Sequence, residues 1–216
     1  MKHLSAQDLV LGLGSNEHQE VCFRQALDAL KITFGDVVIS SVYQSLPVDC
    51  PPLTIENTSE ITFSSSARSD SPAYYYNAVV VVQSELSIEE IKNITRDIEQ
   101  QCGRDRTKKA SVDTAHGVSK SDAVGKIVTM DIDCLLYGES VSQSQNLCLP
   151  HENVLTMAYV LRPLAELLPD TLCPQSNKTF AELWNDMANQ HSVLLEPIDF
   201  VWQDQLVSIA PSCLVL

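Results

Sequence analysis

The run Tyr74-Tyr75-Tyr76-Asn77-Ala78-Val79-Val80-Val81-Val82-Gln83 constrains the fold more than any other stretch. Aromatic and β-branched side chains favour a pleated strand, and an apolar run without alternation needs cover on both faces. The chain therefore has to build layers around this strand. A helix follows at once: Ser87 and Glu90 have the spacing of a capping box, Leu86 and Ile91 that of a hydrophobic staple. Ile88, Ile91, Ile94 and Ile98 then recur on one face up to Gly103.

The other segments fall into place around this unit. Residues 9–14 read as a short buried strand, with Gly12 and Gly14 forming a tight turn into a helix. Asn16 and Gln19 are placed to cap that helix, whose apolar face is Phe23, Leu27, Leu30 and Phe34. Residues 37–43, between Gly35 and Pro47, form a second strand. Residues 49–73 are rich in Ser, Thr and Pro without a period and read as a long loop. Residues 128–137 form a fourth strand. Residues 151–161 form a helix through Val154, Met157, Ala158 and Leu161, ended or kinked by Pro163, and residues 179–190 form one more. The order strand, helix, strand, strand, helix, strand predicts an α+β ferredoxin-like βαββαβ sandwich with extra C-terminal helices. Its first two helices share one face of a four-stranded sheet. The tail, residues 193–216, is apolar but interrupted, an added strand or a contact surface.

With 216 residues, 44% hydrophobic and 19% charged, the expectation is one globular domain. The short apolar run at residues 9–13 is too little for a secretory signal or a membrane span. Seven cysteines, odd in number and without a C-x-x-C pair, indicate neither a disulfide framework nor a zinc site, and suit a reducing cytoplasm. The triplets at Asn57, Asn93 and Asn177 read as chance matches to the glycosylation pattern.

The formal net charge of −14 argues against a nucleic-acid partner. Against that background, Arg104, Arg106, Lys108, Lys109, Lys120 and Lys126 cluster between residues 104 and 126. Such a basic island attracts a small polyanion while the acidic remainder repels large ones, although a solvated charged loop has the same composition. Directly after it comes Thr129-Met130-Asp131-Ile132-Asp133-Cys134. On a strand the two carboxylates share a face, roughly 6.6 Å apart along the backbone. Their repulsion is on the order of 2.5 kcal/mol at an effective dielectric near 20, which a divalent cation removes. Oxygen ligands without His or Cys suit Mg²⁺ shared with substrate phosphates, and spacing alone leaves open a solvent-facing edge strand guarded by Asp. The glycine-rich routes to a nucleotide are absent, since Glu17 stands where a third glycine would follow Gly12 and Gly14.

Leu11-Gly12-Leu13-Gly14-Ser15-Asn16, Tyr75-Tyr76-Asn77-Ala78, Ile98-Glu99 with Gly103-Arg104, Asp131-Ile132-Asp133 and Leu149-Pro150-His151, in that order, resemble the 6-hydroxymethyl-7,8-dihydropterin pyrophosphokinase family. The likeness covers about residues 9–183. It implies transfer of the β,γ-diphosphate of ATP to the pterin hydroxymethyl group in folate biosynthesis, with two Mg²⁺ ions. It also implies pterin and ATP as small-molecule partners, while the short apolar run and the negative charge argue against a membrane and a nucleic acid. By the same resemblance Asp131 and Asp133 bind the metals and are the catalytic pair. Glu99, Arg104, Arg106, Lys126 and His151 belong to the ATP site; Leu46, Val48, Asn77 and Tyr159 belong to the pterin site. Ordinary structural roles compete: Asn77 ending a strand pairing, Tyr159 in a helical core, His151 capping a helix, Leu46 and Val48 in the core.

The departures are specific. Where the family reads W-G-P-R-T-L-D-L-D, the chain has Gly125-Lys126-Ile127-Val128-Thr129-Met130-Asp131-Ile132-Asp133. The family's arginine in the helix after His151 falls on Met157, and the aromatic after that histidine on Glu152. Lys109, Lys120 and Lys126 are the available substitutes, without the bidentate fork of arginine. A binding module of low or no turnover is therefore the alternative to an active kinase. An interaction protein using residues 49–73 and the apolar tail is a third reading.

Overall fold

The computed structural model describes residues 7–47, 74–105, 127–144, 147–190 and 194–211. Its centre is an antiparallel sheet. Strand β1 (Gln7–Ser15) pairs on one side with β4 (Tyr75–Ser84) and on the other with β5 (Asp131–Tyr137). Beyond β4 lie β2 (Val38–Ile39) and β3 (Tyr43–Ser45), and β8 (Leu195–Pro197) adds to β3, giving the order β5-β1-β4-β3-β8. The predicted second strand is thus two pieces. Between them the Ser40 hydroxyl accepts the Val79 N–H at 3.0 Å, so a side chain takes over part of the ladder.

Helices α1 (Gln19–Phe34) and α2 (Ile88–Gln101) cover one face. Cys22, Phe23, Ala26, Leu27 and Leu30 of α1 are buried, the i, i+3, i+4 stripe of an amphipathic helix. They meet Leu9, Leu11 and Leu13 from β1 and Ala78, Val80 and Val82 from β4. Alternate residues point the other way. Val10, Val79, Leu135 and Leu136 pack with α4 (Ala158–Leu167) and Phe180 of α5 (Phe180–Gln190). The unbroken valine run is therefore covered on both faces, as it must be. Leu135 and Leu136 join the same cluster because a bulge opposite Val10 and Leu11 inserts an extra residue into β5.

The capping box of α2 is present: the Glu90 N–H donates to Ser87 Oγ at 3.3 Å and the Ser87 N–H donates to the Glu90 carboxylate at 2.8 Å. Thr179 and Glu182 repeat the arrangement at α5. The expected cap of α1 is corrected. His18, at φ 50°, occupies the N-cap, while Asn16 Oδ1 accepts the Val128 N–H at 2.7 Å and Gln19 donates to Tyr74 O at 3.0 Å. These side chains serve long-range contacts instead. Gly12 and Gly14 are likewise not a turn but inner positions of β1.

Two further differences concern the C-terminal half. The helix predicted across residues 151–161 divides at Met157, which is extended, into α3 (Asn153–Thr156) and α4, and Pro163 lies inside α4 without ending it. The tail is an added strand and more. After β8, strands β9 (Phe200–Trp202) and β10 (Gln205–Ser208) form a hairpin against α1. Phe200 meets Phe23 edge-on at 6.1 Å and Trp202 donates to Asp28 at 2.8 Å. A separate pair of strands, β6 (Ser142–Ser144) and β7 (Leu147–Leu149), follows β5. No helix among the described residues is long and apolar enough to cross a membrane.

Candidate active site

The strand register assembles the candidate site. Tyr43 lies opposite Asn77, Asn77 opposite Gly14, and Gly14 opposite Asp131, so one row crosses four strands. A second row runs Val79, Gly12, Asp133. Directly opposed residues project from the same face, which here is the one that carries α4. With neighbouring strands about 4.8 Å apart, Asn77 and Asp131 stand roughly 10 Å from one another. The glycines between them contribute no side chain. A Cβ on Gly12 would come within 3.2 Å of Leu135, and one on Gly14 within 3.7 Å of Asn77 Oδ1. The space over Gly12 is taken by Leu135, so the bare position in the row is Gly14, with an amide on one side of it and a carboxylate on the other.

The carboxylate end is held from below. Glu99, 1% exposed, accepts the Ile132 N–H at 2.9 Å and so fixes the backbone between the two aspartates. Arg104 Nη1 lies 2.5 Å from Asp131, donates to Met130 O at 2.7 Å, and is 3.8 Å from Glu99. Ser15 donates to Thr129 O at 2.6 Å, and Asn16 exchanges backbone and side-chain bonds with Val128. Thus the Ser15-Asn16 end of β1 staples the entry into β5. Strand β5 is the edge of the sheet rather than an inner strand, but its free side is met by the His151 N–H, which donates to Leu135 O at 2.9 Å. The Asp131 side chain is 38% exposed, open enough to take a ligand.

At the amide end Asn77 is 5% exposed and donates from Nδ2 to Ser45 Oγ at 2.9 Å. Leu46, directly after β3, is half-buried. Tyr159 begins α4, and its phenol is held above the ordinary tyrosine range, first by burial and then by Asp133, Asp131 and Tyr75. His151 Nδ1 accepts the Asn153 N–H at 3.2 Å from the position before the α3 N-cap, Glu152, which makes no side-chain cap of its own. Of the sequence-predicted residues, Asp131, Asp133, Asn77 and Tyr159 gather on this face. Glu99 and Arg104 lie beneath its acidic end, and Val48, Arg106 and Lys126 lie outside the described residues.

Sequence reasoning passed over Tyr75, Ser45 and Gly14. Tyr75 opposes Ser45 and shares the face of Asn77 two residues on, a signal available from strand alternation once Asn77 is singled out.

A model of the 7,8-dihydro-6-hydroxymethylpterin-pyrophosphokinase family, HPPK, matches residues 10–169. The chain belongs to this family. It is similar to the 2-amino-4-hydroxy-6-hydroxymethyldihydropteridine pyrophosphokinase of Haemophilus influenzae, 29% identical over 149 residues, 66% of this chain and 82% of that protein. The Synechocystis enzyme of the same name is 31% identical over 109 residues, 50% of this chain and 48% of that protein. Among solved structures, Plasmodium falciparum HPPK-DHPS superposes with a TM-score of 0.62 at 14% identity, covering 96% of this chain. The chain spans about half, 49%, of that longer protein, and at this identity the likeness establishes the HPPK fold, which is ferredoxin-like.

The residues fit the magnesium that the family implies. Among the described residues no group of three or more His, Cys, Asp or Glu gathers to hold a metal. Two carboxylates on one face of β5 leave most of an octahedral shell to water and phosphate, the arrangement Mg²⁺ favours.

Proposed function

We propose that this chain transfers the β,γ-diphosphate of ATP to the hydroxymethyl group of 6-hydroxymethyl-7,8-dihydropterin, releasing AMP, with Asp131 and Asp133 holding Mg²⁺. The family match and the relatives named as pyrophosphokinases support the reaction class. The observation that supports this reading is the row Asn77, Gly14, Asp131, in which a glycine separates an amide suited to a flat polar ring from a carboxylate suited to a metal.

In the reaction the hydroxymethyl oxygen attacks the β-phosphorus, the bond from that phosphorus to the α-bridging oxygen breaks, and AMP leaves with the electron pair. The hydroxyl proton passes to water. Magnesium bound by Asp131 and Asp133 supplies charge neutralisation on the phosphate oxygens. The chain supplies alignment. Asn77, its Nδ2 committed to Ser45, presents Oδ1 to an N–H on the pterin edge, and Tyr159 offers a ring to stack against. Leu46 and Val48 complete the apolar border of the pterin. Arg104 and His151 bring donors towards ATP, with Glu99 fixing the strand between the aspartates. Arg106 and Lys126 add positive charge from the basic loop. Met157 stands where the family has arginine, so kcat is expected to be lower than in a relative with the full set, by ~10²-fold for each donor lost. That substitution is what motivates the binding-only alternative, and the relatives named as pyrophosphokinases support turnover instead.

An AMP-release assay with ATP, Mg²⁺ and the dihydropterin tests this. Wild type is expected to turn over, while Asp131→Ala with Asp133→Ala loses about 10³-fold or more and stays folded by circular dichroism. Equal rates for the two proteins would sink the assignment of the carboxylates.

A further inference from the structure

Tyr159 stands at the start of α4, and the extended Met157 before it means that no continuous helix anchors it from the N-terminal side. Its position depends on what holds the rest of α4. Seven residues on, two helical turns and roughly 10 Å along the axis, Glu166 lies on the same helical face. Glu166 Oε1 accepts the Ser41 N–H at 2.9 Å and the Ser41 hydroxyl at 3.0 Å, and Oε2 accepts the Tyr43 hydroxyl at 2.8 Å. Tyr43 is the first member of the row that continues through Asn77 and Gly14 to Asp131. Tyr43 is 4% exposed beside Asn77, and Ser45, two residues along, accepts from the Asn77 amide at 2.9 Å, with Tyr75 O a second acceptor at 3.4 Å. One carboxylate therefore joins the helix bearing the aromatic ring to the strand bearing the amide's support.

We infer that Glu166 is a positioning residue for pterin binding: its clasp on Ser41 and Tyr43 sets how Tyr159 stands relative to Asn77. Two further observations support a dedicated function. Glu166 itself is exposed, so the bonds do not serve to satisfy a buried charge. The hydroxyl it binds is also reached by Arg162, one turn earlier on α4, whose guanidinium lies 5.4 Å from the Trp184 ring of α5. The polar face of α4 is thus tied at both sides, while Val160, Leu161 and Leu164 fill the core. The inference rests on the pterin reading of Asn77 and Tyr159. It adds a residue that touches neither substrate.

The test is equilibrium titration of 6-hydroxymethyl-7,8-dihydropterin in the presence of Mg²⁺ and a non-hydrolysable ATP analogue, with a separate titration of the analogue. Glu166→Ala is expected to weaken pterin binding about 10-fold and leave the analogue within 2-fold, whereas Glu166→Gln, which retains an acceptor for Ser41, recovers most of the loss. Tyr43→Phe, isosteric and lacking only the hydroxyl, is expected to weaken pterin binding about 3-fold at unchanged Tm, and serves if Glu166→Ala fails to fold. Combined with Glu166→Ala it should add nothing, because both remove the same clasp. Pterin affinity unchanged in Glu166→Ala and Tyr43→Phe, or equal loss for both ligands, would overturn the inference. Wild type that binds the analogue but no pterin would instead overturn the reading of the site itself.

Discussion

The two faces of the central sheet are made by alternate residues of the same strands, yet they do different work. On one side Leu9, Leu11, Leu13, Ala78, Val80 and Val82 join one buried cluster with α1, α2 and the hairpin. On the other, Val10, Val79 and Leu135 pack under α4 and α5, but the next positions along the strands are Gly12, Gly14, Asn77, Asp131 and Asp133. Side chains with a period of two allow this separation, since a change on one face need not pass through the other. The first face is apolar through the middle of these strands, and the second carries, beyond its own core, the polar row proposed as the substrate site.

The sharpest way to break that comparison is to cut the apolar face where it lies outside the family match. Phe200 is 2% exposed and packs on Phe23, with Arg24 5.5 Å from its ring. Phe200→Ala is expected to cost about 3 kcal/mol in denaturant unfolding, by lost apolar transfer and the cavity left behind. Activity below the melting transition should stay within about 2-fold. A large fall in kcat at unchanged stability would show that the two faces are not independent.

The converse change fills the bare position in that row. Among the described residues a Cβ on Gly14 meets Asn77 Oδ1 alone, at ordinary contact distance, so Gly14→Val fits the strand backbone and places its methyl groups between Asn77 and Asp131. Stability should move by less than about 1 kcal/mol, since a β-branched residue suits a strand. Pterin and nucleotide binding should weaken by about 30-fold, or ~2 kcal/mol. Calorimetry giving wild-type affinities would mean that the ligands bind elsewhere on the protein.

Much of this was legible in the residues themselves. The valine run, the Ser87 and Glu90 box and the isoleucine stripe specify local structure through side chains that act within a few positions, and each appears where expected. The aspartate pair was readable as a shared face because strand geometry requires it. What could not be read was register. Only pairing across β3, β4, β1 and β5 brings Tyr43, Asn77, Gly14 and Asp131, 88 positions apart at the extremes, into one row. The same limit explains Gly12 and Gly14, read as a turn from local propensity although a long strand continues through them. Asn16 has the chemistry of a helix cap, and a distant backbone at Val128 competes for it successfully. The hairpin at Phe200 and Trp202 has little local pattern because its stability comes from α1.

The smallest effect belongs to a feature that serves neither face directly. Ser87 caps α2 at the end opposite Glu99, with the Ser87 hydroxyl donating to Glu90 at 2.6 Å. Ser87→Ala is expected to lower stability by about 1 kcal/mol, the usual worth of an N-cap side chain, and to leave activity unchanged. The loss should also depend on pH. Hydrogen bonds from the Ser87 side chain and then its backbone hold the Glu90 carboxyl below the ordinary glutamate range. Because the folded state lowers this pKa, the contribution is present above the ordinary glutamate value and disappears as pH falls through the depressed one. Wild type and Ser87→Ala should therefore differ most near neutrality and converge in acid, as urea unfolding at a series of pH values would show. A gap that stayed constant into acid would leave the capping hydroxyl acting on the helix backbone alone, with the Glu90 charge playing no part.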